Sequence, residues 1–129
     1  MKKLKLLIAE DDNTQRLLYE EGFNGKDFDF RFAVDGEEAL KEYRAWKPDA
    51  ILLDIMMPVK SGYVVLKEIR DEEKKSEVNT VIIMATGMAD KNDIMDCLKL
   101  GIQGYIVKPF KRAEIADRVM ELYRKARPE

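Results

Sequence analysis

The feature that most constrains this chain is a set of short apolar runs, each of which stops on a charged residue. Leu6-Leu7-Ile8-Ala9 runs into Glu10 and Asp11, Ile51-Leu52-Leu53 into Asp54, and Tyr105-Ile106-Val107 into Lys108. Apolar runs of this length read as strands covered on both faces, which is how the strands of a parallel sheet are built. In such sheets ligands bind beyond the carboxyl ends of the strands. The runs therefore predict that three carboxylates and a lysine meet at one edge of one sheet.

The rest of the chain fits that reading. Strands are expected over Leu4 to Ala9, Phe28 to Ala33, Ala50 to Asp54, Thr80 to Ala85 and Gly104 to Lys108, with amphipathic segments between them. Asp12 and Asp35 are each followed three positions later by Gln15 or Glu38, the pattern of a helix N-terminus. A third helix should begin near Ser61-Gly62 and a fourth near Asp90, the latter stopping at Gly101. The last is expected from Lys111 to Ala126, with Ile115, Val119 and Leu122 facing inward. The pattern is (βα)5, an α/β doubly wound parallel five-stranded sheet with helices on both faces. At 129 residues, without repeats, linkers or low-complexity segments, residues 1–129 are expected to form a single domain.

Composition removes several classes of function. Twenty-three Lys and Arg against 25 Asp and Glu give a net charge of -2, so no broad cationic field points to nucleic acid or an anionic membrane. Basic residues do gather in the last helix, but acids interleave with them, as on a solvated face. The apolar run after Lys2-Lys3 is too short for a signal peptide and ends in acids, and nothing approaches the roughly 18 apolar residues of a membrane span. A soluble cytoplasmic protein is expected. One cysteine and no histidine exclude an internal disulfide, a histidine-assisted triad, an imidazole metal site and a phosphohistidine on this chain. Cys97, three residues after Ile94 in a helical pattern, reads as a buried small hydrophobe.

Carboxylates crowded at one edge repel, so one must take up a proton or a cation must neutralise them. Oxygen donors on short side chains, without imidazole or thiolate, suit Mg²⁺ or Mn²⁺. An aspartate beside such a cation can attack phosphorus and become an aspartyl phosphate, which makes Asp54 a candidate nucleophile. Lys108 offers positive charge to phosphoryl oxygens, and Thr86, expected just after the strand Val81 to Ala85, offers a hydroxyl donor.

These residues carry a resemblance to a known family. The acidic pair Glu10-Asp11, the segment Leu53-Asp54-Ile55-Met56-Met57-Pro58 with Ser61-Gly62 after it, Ala85-Thr86-Gly87, and Tyr105-Ile106-Val107-Lys108-Pro109-Phe110 stand in one order. The chain thus resembles, over essentially its whole length, the receiver domain of bacterial two-component response regulators, in particular chemotaxis-regulator-like single domains. The resemblance implies a flavodoxin-like strand order 2-1-3-4-5 and a cis Lys108-Pro109 bond. It implies that Asp54 is the phosphoacceptor, that Asp11 and Asp54 bind Mg²⁺ directly, Glu10 through water and Met56 through its backbone carbonyl, and that Thr86 and Lys108 hold the phosphoryl group. Thr86 and Tyr105 would be the switch residues that reshape the face made by helix 4, strand 5 and helix 5. The donor would be a sensor histidine kinase or histidine phosphotransfer protein, and an output protein would bind the reshaped face.

Other readings of single residues stand beside these. Asp12 is a helix cap or, with a register slip, a ligand; Tyr105 is a switch or a half-buried strand aromatic; Trp46 packs at the end of the second helix. The methionines share no spacing that would mark a methionine-rich interface. Met56 and Met88 occupy positions where some relatives carry polar groups that order an attacking water, which implies a long-lived phosphorylated state. Gly101-Ile102-Gln103-Gly104 lacks the acids that serve the dimer face of the winged-helix branch. A haloacid-dehalogenase-type phosphatase would place its nucleophile first and a second Asp where Met56 stands, and a flavin-binding module would not carry an acidic first turn. A phosphorylation-independent docking domain is the alternative function.

Overall fold

The computed structural model describes residues 2–87 and 91–128. Strands β1 (Leu4–Ala9), β2 (Phe28–Ala33), β3 (Ala50–Asp54), β4 (Val81–Gly87) and β5 (Gly104–Lys108) alternate with helices α1 (Asn13–Gly22), α2 (Gly36–Trp46), α3 (Gly62–Glu73), α4 (Lys91–Leu100) and α5 (Ile115–Ala126). All neighbouring strands are parallel, in the order β2-β1-β3-β4-β5. This is the doubly wound α/β sheet that the apolar runs require.

Because successive strand side chains point to opposite faces, each run supplies two cores at once. Leu6, Ile8, Leu52, Ile83 and Ala85 pack on one face with Tyr19 of α1, Phe23 just after it, and Ile115, Val119 and Leu122 of α5. Leu7, Ala9, Ile51, Leu53, Ile82 and Met84 pack on the other with Leu40, Leu66, Ile69, Ile94 and Cys97 of α2, α3 and α4. Burial, with the fields of Asp93 and Asp96, pushes the Cys97 thiol up to about 11, so it stays a neutral small hydrophobe. Trp46 ends α2 with the Arg31 guanidinium 4.5 Å and the Lys5 ammonium 5.0 Å from its ring centroid, which holds it against the sheet edge.

The helix starts follow their caps. Asp12, Asp35 and Ser61 accept from the backbone N–H groups of Gln15, Glu38 and Val64. The reciprocal half of the box is absent at Gln15, whose Oε1 has no partner, while Glu38 turns back to the Val34 N–H at 3.2 Å. The expected end of α4 at Gly101 is present, with φ of 105°. Three boundaries differ from expectation, the first being β4, which starts at Val81 rather than Thr80. The last helix is α-helical only from Ile115, because Arg112–Glu114 forms a 3₁₀ turn whose start has no side-chain cap. Strand β4 runs to Gly87 because its pairing with β5 continues through Thr86↔Val107 and Gly87↔Lys108, so Thr86 lies inside the strand. The expected helix start at Asp90 lies outside the described residues.

At the end of the sheet away from the charged runs, a buried ion pair ties α3 to its surroundings. Arg70 donates to Glu73 at 2.7 Å and to Gly101 O, Asn79 Oδ1 and Gln103 Oε1. Glu73 also accepts from the hydroxyls of Tyr43 at 2.7 Å and Thr80 at 2.6 Å. Every partner of the pair is thus hydrogen-bonded, the condition under which a buried pair is tolerated.

One glycine decides where α3 can sit. A Cβ on Gly62 would lie 2.1 Å from the Asp54 carbonyl oxygen, so α3 can start directly against the end of β3 only without a side chain there. Gly62→Ala is expected to cost about 2–3 kcal/mol in a urea titration, by the overpacking it forces. Gly25, with nothing within 4 Å of the equivalent position, should accept alanine within about 0.5 kcal/mol.

Candidate functional site

The parallel register brings the charged ends of the runs together. Ala9 pairs with Leu53 and Asp54 with Ala85, so Glu10 and Asp11 follow β1 just beside the end of β3. Glu10 remains tied to β2 through its N–H to the Ala33 carbonyl at 2.9 Å, and Ile55 extends the ladder past Asp54 with an N–H to Ala85 O at 3.1 Å. One carboxylate oxygen from each of Glu10, Asp11 and Asp54 lies within 4.8 Å of the others. Glu10 and Asp54 are buried, whereas Asp11 is exposed at the rim.

Lys108 reaches into this cluster from β5. Its ammonium donates to Glu10 Oε1 at 2.7 Å and to Asp54 Oδ2 at 3.1 Å. The other Asp54 oxygen accepts from the Met56 N–H at 3.2 Å. Among the described residues, the Lys108 ammonium pairs with two of the three carboxylates, so negative charge exceeds positive in the cluster. The imbalance shows in Glu10. Burial above all, and then the neighbouring Asp54, push its carboxyl up to about 7 against the opposing pull of Lys108. For Lys108, burial opposes the charge, but the hydrogen bond to Glu10 and the fields of both acids outweigh it and hold the ammonium above its ordinary value. The donor set is all oxygen, on short side chains around a residual negative charge, and it fits a hard divalent cation such as Mg²⁺.

The other expected residues take their places around the cluster. Thr86 is buried next to Ala85 on β4, and its hydroxyl donates to Gly87 O at 3.2 Å. Met56 follows the loop out of β3 with its side chain 69% exposed, and Tyr105 lies on β5 with 43% of its surface in solvent. Asp12 caps α1 and stays out of the acidic group. Lys108-Pro109 is cis, as the resemblance implied. Met88 lies outside the described residues. Arg16 was not singled out in the sequence. It donates to the backbone carbonyls of Glu10 at 3.0 Å and Asp11 at 2.8 Å and so braces the acidic turn. Its only signal was a basic residue one turn into a helix that follows two acids.

Comparison with known proteins accords with this geometry. Residues 6–120 match the profile of the response regulator receiver domain. "Probable transcriptional regulator ycf27" of Porphyridium aerugineum is 38% identical over 97% of this chain and 50% of its own length. Transcriptional regulatory protein RprY of Bacteroides fragilis is 32% identical over 97% of this chain and 51% of its own. The chain thus spans about half the length of the curated relatives it matches. Among solved structures, the Francisella response regulator 1452 receiver domain is 30% identical with a TM-score of 0.82, covering 97% of this chain and 100% of that one. A CheX-CheY-BeF3-Mg²⁺ complex from Borrelia burgdorferi is 31% identical with a TM-score of 0.81, covering 93% and 89%. With five parallel strands in the order 2-1-3-4-5, an acidic cluster at their carboxyl ends and a profile match over most of its length, the chain belongs to the response regulator receiver domain family, whose members are phosphoacceptor signalling modules.

Proposed function

We propose that this chain accepts a phosphoryl group on Asp54 from a phosphohistidine of a sensor histidine kinase or histidine phosphotransfer protein, with Mg²⁺, and changes its affinity for an output protein as a result. The observation that carries the reading is the arrangement of Asp54 within the acidic cluster, one oxygen on the Lys108 ammonium and the other on the Met56 N–H. Asp11 and Asp54 would hold Mg²⁺ directly, Glu10 through water and Met56 through its carbonyl, with Mn²⁺ able to substitute. Bound there, the cation neutralises the carboxylates and the incoming phosphoryl oxygens. The Borrelia relative, solved with BeF3 and Mg²⁺, supports a site that takes an anion and a cation together.

The chain's own groups do the remaining work. An Asp54 carboxylate oxygen forms the bond to phosphorus as the donor's P–N bond breaks and its electron pair stays on the imidazole. Lys108 gives up a carboxylate contact for a phosphoryl oxygen, and the Thr86 hydroxyl turns to donate to another. These new hydrogen bonds bias two packings of the β4 end, and Tyr105 turns inward from its half-exposed position. The consequence is read on the face of α4, β5 and α5, where Met95, Leu98, Tyr105 and Val107 expose apolar surface to solvent. The exposed Met56 thioether has no donor or strong acceptor to order an attacking water, so autodephosphorylation is slow.

Incubation with Mg²⁺ and acetyl phosphate should add one phosphoryl group to the intact mass, and the adduct should persist after the donor is removed by rapid desalting. Chelation of the metal or Asp54→Asn should abolish it. Loss of the adduct within the desalting time would contradict the slow-hydrolysis reading. A wild type that binds Mg²⁺ without any adduct would point instead to phosphorylation-independent docking.

The raised Glu10 carboxyl gives a pH dependence. Between its ordinary value and about 7 the fold holds a proton that the unfolded chain has released, so the metal-free protein loses stability as pH rises through that window. Mg²⁺ must displace the same proton. Calorimetry should show affinity rising from about pH 6 to about pH 7.5 with proton release, then levelling. A flat profile over that range would contradict this account of Glu10.

A further inference from the structure

The loop from β3 to α3 contains a turn of an uncommon kind. The Lys60 N–H donates to the Pro58 carbonyl at 2.8 Å, a bond that spans a single residue, and that residue, Val59, has φ of 68°. This is the hand of γ-turn that is rare and strained. A β-branched residue suits positive φ least. Packing does not compensate, since Val59 is 74% exposed.

Strain of this sort persists where the surroundings over-determine it. Here the Gly62 N–H closes the loop onto Ile55 O at 2.8 Å, and the Gly36 N–H meets Pro58 O at 3.4 Å. Gly36 sits so close beneath the turn that a Cβ would lie 2.1 Å from the Lys60 carbonyl oxygen. The Lys60 ammonium is held by Glu68 of α3 at 2.9 Å and Glu37 of α2 at 3.4 Å. Earlier in the same loop, the Met56 N–H donates to Asp54 Oδ1. A change of φ at Val59 would swing Pro58 and Met57 and carry Met56 with them.

We propose that Lys60, gripped by Glu37 and Glu68, clamps the strained turn at Val59 and so positions the Met56 backbone beside Asp54. Lys60 is a positioning residue, and its effect on phosphorylation rests on the reading of Asp54 as phosphoacceptor. The clamp makes a specific demand. Without it a valine at position 59 relaxes and the loop moves, whereas a glycine has no strain to release and the loop stays.

Wild type, Val59→Gly, Lys60→Met and the double variant separate these effects by two readouts: amide exchange at Met56 in the metal-free protein, and the rate of phosphorylation by acetyl phosphate. Lys60→Met should speed Met56 exchange about tenfold and slow phosphorylation by a similar factor. Val59→Gly alone should change neither, and in the double variant it should return both to the wild-type range. Unchanged behaviour in Lys60→Met, or a double variant as impaired as Lys60→Met, overturns the clamp. If the wild type takes no phosphoryl group, the reading of Asp54 fails, and the exchange pattern alone decides the clamp.

Discussion

The arrangement at the sheet edge depends on the reach of Lys108. Its side chain leaves β5, passes the end of β4 and meets Asp54 on β3 and Glu10 after β1. A buried carboxylate without a countercharge would take up a proton or unfold its surroundings, and here one ammonium serves two of them. On the intervening strand, the residue that pairs with Asp54 is the small Ala85. Strand order, a small residue on the intervening strand and a long cationic side chain on the outer one are therefore a single design.

The two poles of the molecule use charge in opposite ways. Around Arg70 and Glu73, donors and acceptors are matched, with Arg70 donating to four acceptors and Glu73 receiving Arg70, Tyr43 and Thr80. A matched network of this kind fixes helix positions. At the other pole negative charge exceeds positive, and Glu10 is pushed towards neutrality as a result. Unbalanced buried charge is costly to keep unless a ligand completes it, which is why perturbed carboxylates mark sites of function.

Much of this was legible in the sequence, for physical reasons. Runs such as Ile51-Leu52-Leu53 fill two cores at once, so they specify buried parallel strands, and the residues that end them must share an edge. Capping aspartates fixed the starts of α1 and α2 because their bonds are local. What the sequence hid depends on distant partners. Nothing near Arg70 in the chain announces Gln103, and Thr86 joins β4 only because Val107 lies opposite. The turn at Val59 is held from Gly36 and Glu37 on α2, and Arg16 acts on backbone carbonyls that any sequence could have offered.

Of the carboxylates gathered at this edge, Asp54 is the one proposed to attack phosphorus. Borohydride reduces an acyl phosphate but leaves a free carboxylate intact, so reduction of the Mg²⁺ and acetyl phosphate product followed by peptide sequencing in the mass spectrometer identifies the modified residue. Homoserine is expected at position 54, with unmodified aspartate at Asp11 and Asp12. Homoserine at either of those positions, with Asp54 unchanged, would overturn the assignment of Asp54 as the nucleophile.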